Sequence, residues 1–278
     1  MVVAGTLERI AEDAARGDLV FSTHAEIVLG VQKALDDPNC AIDKLARMIS
    51  AEPMLSTRVV AVANSVAYRR SGPATSDVKS AVSRLGFRTV RTLAAAVLIR
   101  QMRDRATTPE HRKLAHELWE HSAHVAALAR VIAQRIVRKD PETAFFAGIV
   151  HEAGGFYLIS RAASFPGLLE KGLAEWDGDG EALVGGAVLR ELEVPDPVLE
   201  ATEELWEGYL RYPPATLGDA LLLAEHLSPV ESPLSRLGGN GHGDTHADID
   251  VALDEDTLKH ILAESAAEVA SLVEALDF

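Results

Sequence analysis

The chain has 278 residues, 47% of them hydrophobic and 5% aromatic, enough apolar material to bury the core of one large domain or two small ones. Its 27 Lys and Arg against 42 Asp and Glu give a net charge of −15, which argues against general binding to nucleic acids. One cysteine excludes an internal disulfide and fits a reducing compartment, and no apolar run approaches the roughly 18 residues of a membrane span. We therefore expect a soluble cytoplasmic protein.

The first hundred residues predict a series of short helices. A lead-in helix precedes a segment in which Thr23 is placed to cap the next helix, and DDPN, residues 36–39, ends it. Asp77 is placed to cap a later helix, and Gly86 suits its end. Apolar residues at helical spacing predict helices over residues 1–17, 23–35, 42–51, 54–64, 77–86 and 89–98.

The remainder of the chain continues this pattern. Two longer helices are predicted over residues 110–138 and 142–161, and four further helices over residues 182–192, 197–206, 216–227 and 254–276. Residues 69–76, RRSGPATS, are predicted to form a loop. Residues 228–250 are rich in Gly, Pro, Ser and Asp and predict a mobile surface loop. Because no stretch alternates between apolar and polar residues, we predict an all-α fold.

The positive charge is concentrated in one segment. Residues 47–105 contain eleven Lys and Arg against three acidic residues, a balance of +8, so the remainder carries −23. Within SRLGFRTVRTL, a predicted helix start brings Arg84, Arg88 and Arg91 to a place where an anion or acidic partner surface could bind. The alternative is that these basic faces are solvated or pair with the acidic part of the chain. A helix-turn-helix DNA reader is a weaker match, and the net charge opposes duplex DNA.

Several motifs occur together in a diagnostic order. The N-terminal part contains a helix ending in ISAEP, then VANSVAY, a Gly-Pro loop, a helix, LG and a further long helix. LWEHSAHVAALARVIA, FFAGIVHEAGGFYLI and AVLRELEVPDPV follow. From about Asp18 to Leu276 the chain resembles the HDOD family, the HD-related output domain of bacterial signalling proteins. The resemblance implies one domain over residues 18–278, in which an N-terminal helical part, residues 18–108, packs on an HD-like helical bundle, residues 109–278.

The resemblance also implies the positions of a former metal site. Catalytic HD proteins bind metal through a His, a His-Asp pair and a distant Asp, and the metal activates a water for phosphoester cleavage. The matching residues here are His121, His151, Glu152 and Glu225, so both aspartates are replaced by glutamates. The lysine that often follows the HD-x-G pattern is Gly155. We therefore expect a degenerate, non-catalytic site without metal; a single ion, if held, would use His121, His151 and Glu152.

These observations predict a non-catalytic signalling or scaffold module that needs no cofactor. Its ligand would be a signalling protein or a small anionic regulator such as a cyclic dinucleotide, with no membrane association. Two alternatives stay open, a metal-dependent phosphohydrolase that uses the degenerate site and a nucleic-acid or nucleotide binder that uses Arg84, Arg88 and Arg91. The oligomeric state is also open, a homo-oligomer included.

Overall fold

The computed structural model describes residues 4–17, 19, 25–69, 72–171, 176, 180–238 and 255–277. Within these residues all regular structure is helical and no strand occurs, which confirms the all-α prediction. The predicted cap at Thr23 and the segment 240–250 lie outside the described residues. No described helix is long and apolar enough to cross a membrane.

The N-terminal part is built around one long helix. Its elements are α1 (Ala4–Ala15), α2 (Ala25–Asp36), α3 (Ile42–Ser50), α4 (Pro53–Asn64) and α5 (Val78–Arg103). Helices α2, α3 and α4 pack against α5. Gly86 interrupts α5 with a φ of 79°, which glycine adopts at little cost. The helix end predicted at Gly86 is therefore present as a kink between two helical segments.

The second part contains shorter helices around the α6–α7 pair. Helices α6 and α7 pack on each other, and α5 connects the two parts by packing on both α7 and α8. Helix α12 packs on α6, α10 on α8, and α11 on α12. The elements are α6 (Pro109–Ile132) with a π-helical turn (Ala133–Val137), α7 (Pro141–Val150), α8 (Ala153–Arg161) with a 3-10 turn (Ala162–Ser164), α9 (Leu168–Lys171), α10 (Glu181–Glu191), α11 (Asp196–Glu207), α12 (Leu217–Leu227), α13 (Pro233–Gly238) and α14 (Glu255–Leu276).

The two chain ends are integrated into this arrangement. The lead-in helix α1 packs on α10, and α14 packs on both α6 and α4. Trp119 is fully buried in α6 and donates its indole N–H to the carbonyl of Leu276, at 3.1 Å. The last helix therefore bridges the N-terminal part and the HD-like bundle.

Side-chain caps explain where several helices start. Asp77, Thr108 and Asp140 each accept a hydrogen bond from a backbone N–H in the first turn of α5, α6 and α7, respectively. Thr216 and Asp219 form a reciprocal capping box at the start of α12. Such caps satisfy N–H groups that have no partner within the helix. They define the register of the helices that carry the site.

Two sequence predictions require correction. The single helix predicted over residues 142–161 is two helices, because the chain turns at His151 and Glu152 between α7 and α8. Close packing requires glycine just after this turn, since a Cβ on Gly154 would lie 2.7 Å from the backbone of Gly185. The predicted loop over residues 228–250 contains the short helix α13, whereas residues 239–250 lie outside the described residues.

Candidate functional site

The fold brings together the four residues that sequence analysis assigned to the former HD site. His121 lies in α6, His151 and Glu152 form the turn between α7 and α8, and Glu225 lies in α12. One ligand atom each from His121, His151 and Glu152 can be chosen so that all three lie within 4.8 Å of one another. The carboxylate of Glu225 lies 3.1 Å from Nε2 of His121 and 3.4 Å from Nε2 of His151. The longer glutamate side chain thus still reaches the cluster.

Backbone carbonyls fix the orientation of both imidazoles. Nδ1 of His121 lies 2.7 Å from the carbonyl oxygen of Val230, and Nδ1 of His151 lies 2.8 Å from that of Gly148. A carbonyl oxygen only accepts, so each Nδ1–H must donate. In the neutral rings, the lone pairs on the two Nε2 atoms therefore face each other, at 3.2 Å. This tautomer is the one that presents Nε2 to a metal.

The centre of the cluster consequently has an excess of acceptor atoms. Two Nε2 lone pairs and the Glu225 carboxylate converge, and Oε2 of Glu152 is buried without a hydrogen-bond partner among the described residues. Buried acceptors that face one another are unfavourable unless a cation lies between them. A proton or a metal ion can fill this role.

The pKa shifts of His121 and Glu225 show how a proton can balance these acceptor atoms. Burial disfavours a charged His121, but the negative charge of Glu225, its hydrogen bond and the charge of Glu152 outweigh burial and raise the pKa of His121 to about 9. Burial also disfavours a charged Glu225, but the charge and hydrogen bonds of His121, followed by those of His151, hold the pKa of Glu225 well below its usual range. The pair is therefore an imidazolium and a carboxylate at neutral pH.

The same geometry also fits a metal ion. Ligand atoms that lie about 2.1 Å from a shared ion are separated from one another by roughly 3–3.4 Å. The separations between Nε2 of His121 and its neighbours, 3.1 Å to Glu225 and 3.2 Å to His151, match this range. Glu152 is less well placed, since its Oε1 lies 3.9 Å from Nε2 of His121. One ion held by His121, His151 and Glu225, with Glu152 moving in, is compatible with these positions.

The segment before and within α13 packs against the cluster. Val230 provides the carbonyl for His121, and Ser232 donates its hydroxyl to Oε1 of Glu152, at 2.6 Å. Leu234, which is 1% exposed, fills the space beside Gly155, where a Cβ would lie 2.5 Å from its side chain. A lysine could not occupy position 155 without displacing Leu234. Sequence analysis missed all three contacts because this segment has no periodic pattern.

The site residues are accordingly almost inaccessible. His121, His151 and Glu152 are 0%, 2% and 4% exposed, and the side chain of Glu225 is 16% exposed. A substrate phosphate would need both access and an open coordination position.

The predicted arginine patch has a different environment. Arg84 donates to the carbonyls of Ala63 and Pro73, at 3.0 Å each, and so anchors the loop after α4. Arg88 pairs with Asp140 and donates to Thr143, and Arg91 pairs with Asp36. These contacts agree with the alternative prediction from the sequence, in which the basic helix faces pair with acidic residues elsewhere in the chain. They leave the nucleic-acid hypothesis without structural support.

Comparison with solved structures places the fold among HD-related proteins. The chain is similar to a "Putative metal-dependent phosphohydrolase" from Shewanella amazonensis SB2B, with 22% identity, 98% of each chain covered and a TM-score of 0.70. It is also similar to an HDOD domain protein with unknown function from Geobacter sulfurreducens, with 23% identity, 98% of each chain covered and a TM-score of 0.58. These identities establish a common fold and nothing further about activity.

A third similar structure is a "Putative signal transduction protein" from Marinobacter aquaeolei VT8. It has 18% identity and a TM-score of 0.61, with 98% of this chain and 66% of that chain covered. None of the curated proteins matches the chain. The family model named HDOD domain matches residues 22–205, more than half of the chain. The chain therefore belongs to the HDOD domain family, as the order of its motifs predicts.

Proposed function

We propose that this chain is a non-catalytic signalling module that acts by binding a partner protein or a small anionic regulator. The observation that carries the proposal is the burial of the His/Glu cluster, in which His121, His151 and Glu152 are 0%, 2% and 4% exposed. Metal-assisted hydrolysis needs a substrate phosphate next to a metal-bound water. Here the residues that would hold the metal are buried, and Ser232 already donates to Glu152.

The cluster has a mechanical role in this proposal. It connects α6, the α7–α8 turn, α12 and the segment leading into α13 through polar contacts in the core. Leaving one of these buried polar groups without a partner costs about 1–3 kcal/mol. The cluster thus fixes the relative positions of helices whose outer surfaces remain available for binding.

Metal content and hydrolysis test the proposal together. Purified protein, before and after incubation with Mn²⁺ or Fe²⁺, would be assayed by mass spectrometry and with bis-p-nitrophenyl phosphate as substrate. We expect no metal-dependent turnover in the wild type or in His151→Ala. We also expect His151→Ala to lower the unfolding free energy. Turnover that requires metal and disappears in His151→Ala would show that the protein is an enzyme.

A second candidate function is metal-dependent phosphoester hydrolysis, and a specific observation favours it. The spacing of the ligand atoms suits a common ion, and Oε2 of Glu152 is buried without a described partner. When bound, a divalent ion would polarise a phosphoryl oxygen and lower the pKa of a bound water. His121, His151 and Glu225 would hold it, and the segment with Ser232 and Leu234 would have to move aside. The assay above separates the two functions.

A further inference from the structure

The outer face of α11 carries only negative charge. Four residues of this helix are buried and lie along one side of it: Val198, Ala201, Thr202 and Leu205. Residues three, four or seven positions apart share a helix face. By this spacing the five acidic residues of α11 all lie on the opposite side: Asp196, Glu200, Glu203, Glu204 and Glu207. The helix contains neither Lys nor Arg, so no basic residue of α11 offsets this charge.

Two of these five carboxylates are neutralised by ion pairs. Glu203 pairs with Arg190 and Glu204 with Arg211, at 3.1 Å in each case. The other three side chains are exposed and form no ion pair with any residue that the structure describes: Asp196, Glu200 and Glu207. An acidic helix face alone is typical of solvated surface, so a binding surface needs a further feature.

That feature is a pair of tyrosines directly after the helix. Tyr209 and Tyr212 are 70% and 74% exposed, more than any other large hydrophobic side chain that the structure describes. Single exposed apolar residues are ordinary, but two rings three positions apart in one loop concentrate apolar surface there. Tyrosine is enriched among the residues that dominate the binding energy of protein interfaces. The pair therefore favours an interface with another protein.

The loop that carries the tyrosines is held in place. Asp219, which is fully buried, accepts hydrogen bonds at 2.7–3.1 Å from three backbone N–H groups of the loop, those of Arg211, Ala215 and Thr216. The guanidinium of Arg211 donates to Glu204 and to the hydroxyl of Thr216, at 3.1 Å each. The loop is thus anchored to both α11 and α12, beside the acidic face. A surface that is already ordered loses less conformational entropy when a partner binds.

We propose that the outer face of α11, together with Tyr209 and Tyr212, binds an arginine-rich segment of a partner protein. A guanidinium pairs with carboxylates through two parallel N–H donors and also stacks on aromatic rings. An ammonium group is instead a compact, strongly hydrated charge. Carboxylates and rings in one surface therefore fit arginine better than lysine. This assignment rests on the proposed function, because it gives the chemistry of the protein partner.

Fluorescence anisotropy of labelled nona-arginine and nona-lysine peptides with the full chain tests this surface. At about 0.15 M salt, charges more than about 8 Å apart are screened, so the net charge of −15 contributes little to binding. We expect nona-arginine to bind at least about fivefold more tightly than nona-lysine, because guanidinium groups stack better on the two rings. Tyr209→Ala and Tyr212→Ala should each reduce this preference, whereas Tyr212→Phe, which keeps the ring, should retain it.

A matched pair of double variants tests the acidic face. Glu200→Gln with Glu207→Gln should weaken nona-arginine binding at least about fivefold, since two carboxylates that face the peptide are lost. Glu26→Gln with Glu274→Gln is the control, because it removes the same charge from exposed side chains of α2 and α14, which pack on other elements. The control should bind as the wild type does. All these substituted side chains are exposed, so urea denaturation should show an unchanged unfolding free energy in every variant.

Two results in these titrations would overturn the proposal. Equal weakening in the two double variants would show a general attraction to the acidic chain, and equal affinity of the wild type for both peptides would remove the role of the rings. Sedimentation velocity tests the other occupant of such a surface, a second copy of this chain. Dimers that dissociate in Tyr212→Ala would assign the surface to self-association and overturn the arginine-rich partner.

The outcomes remain separate from those of the proposed function. Metal-dependent turnover together with preferential nona-arginine binding would remove the non-catalytic module and leave the surface standing. Absence of both turnover and nona-arginine binding would remove this surface and leave the module with a different ligand.

Discussion

Two buried polar clusters lie nine residues apart on α6, one at His121 and one at Arg130. Both contain buried carboxylates, but the positive charge that balances these carboxylates has a different source in each cluster. Arg130 donates to Glu142 at 3.2 Å and to Glu268 at 2.5 Å, and its guanidinium lies 4.8 Å from the ring centre of Tyr68. This cluster contains a permanent cation. The His121 cluster contains acceptors and needs a proton or a metal to complete it, so its contribution depends on conditions.

The two clusters also differ in which parts of the fold they join. The Arg130 cluster joins the two parts of the domain, since Tyr68 follows α4, Glu142 lies in α7 and Glu268 in α14. Tyr68 and Thr89 both donate to Oε2 of Glu142, at 2.5 Å and 2.8 Å. The His121 cluster instead joins helices within the HD-like bundle. The cation of the first cluster stays charged across the neutral and alkaline range, whereas the second cluster depends on a proton or a metal ion.

The largest expected effect is that of Arg130→Met. Removing the cation leaves Glu142 and Glu268 with side chains only 21% and 16% exposed, and breaking such a pair costs about 3–5 kcal/mol. Urea denaturation should show this loss. Arg190→Met is the control, because Arg190 pairs with Glu203 at 3.1 Å through side chains that are 62% and 44% exposed, and an exposed ion pair contributes about 0–1 kcal/mol. Equal losses of unfolding free energy in both variants would contradict the distinction between the buried Arg130 cluster and an exposed ion pair.

The second expected effect is a pH dependence confined to the His121 cluster of the metal-free protein. The pKa of His121 is raised from 6.5 to about 9, so its contribution to stability is complete below pH 6.5 and is lost as the pH rises through 9. The pKa of Glu225 is lowered from 4.5, so its contribution is complete above pH 4.5 and is lost as the pH falls towards the folded-state value. The cluster should stabilise the fold most between pH 4.5 and 6.5.

The difference in unfolding free energy between wild type and Glu225→Gln, measured across this range, isolates that contribution. It should shrink between pH 6.5 and 9, while the difference between wild type and Arg130→Met stays constant, because a guanidinium does not titrate there. A constant difference for Glu225→Gln would mean that His121 and Glu225 do not share a proton in this way. A flat profile that becomes steep only after chelation would instead point to a bound metal.

Local signals in the sequence were enough to predict most of the fold. Apolar periodicity and the cap at Asp77 identified helices, because a helix start depends on residues within one turn. The break at His151 and Glu152 was missed because apolar residues continue on both sides of it. The motif order assigned His121 and Glu225 to one site, and the carboxylate of Glu225 lies 3.1 Å from Nε2 of His121, although 104 positions separate the two residues in the sequence.

The sequence could not predict which residues pack against the His/Glu cluster from the segment around α13. These contacts involve the backbone carbonyl of Val230 and a serine and a leucine in a segment without periodicity. A carbonyl is present at every residue, so its use by His121 leaves no compositional signal.

The smallest expected effect is that of Arg88→Gln, which compares an exposed ion pair with the buried Arg130 cluster. Arg88, Arg84 and Arg91 are close in sequence and resembled an anion patch, but Arg88 pairs with Asp140 through a side chain that is 65% exposed. Exposed ion pairs contribute about 0–1 kcal/mol, so the unfolding free energy should change little. A loss of several kcal/mol in urea denaturation would instead show that the Arg88–Asp140 pair contributes as a buried pair does, in spite of its exposure.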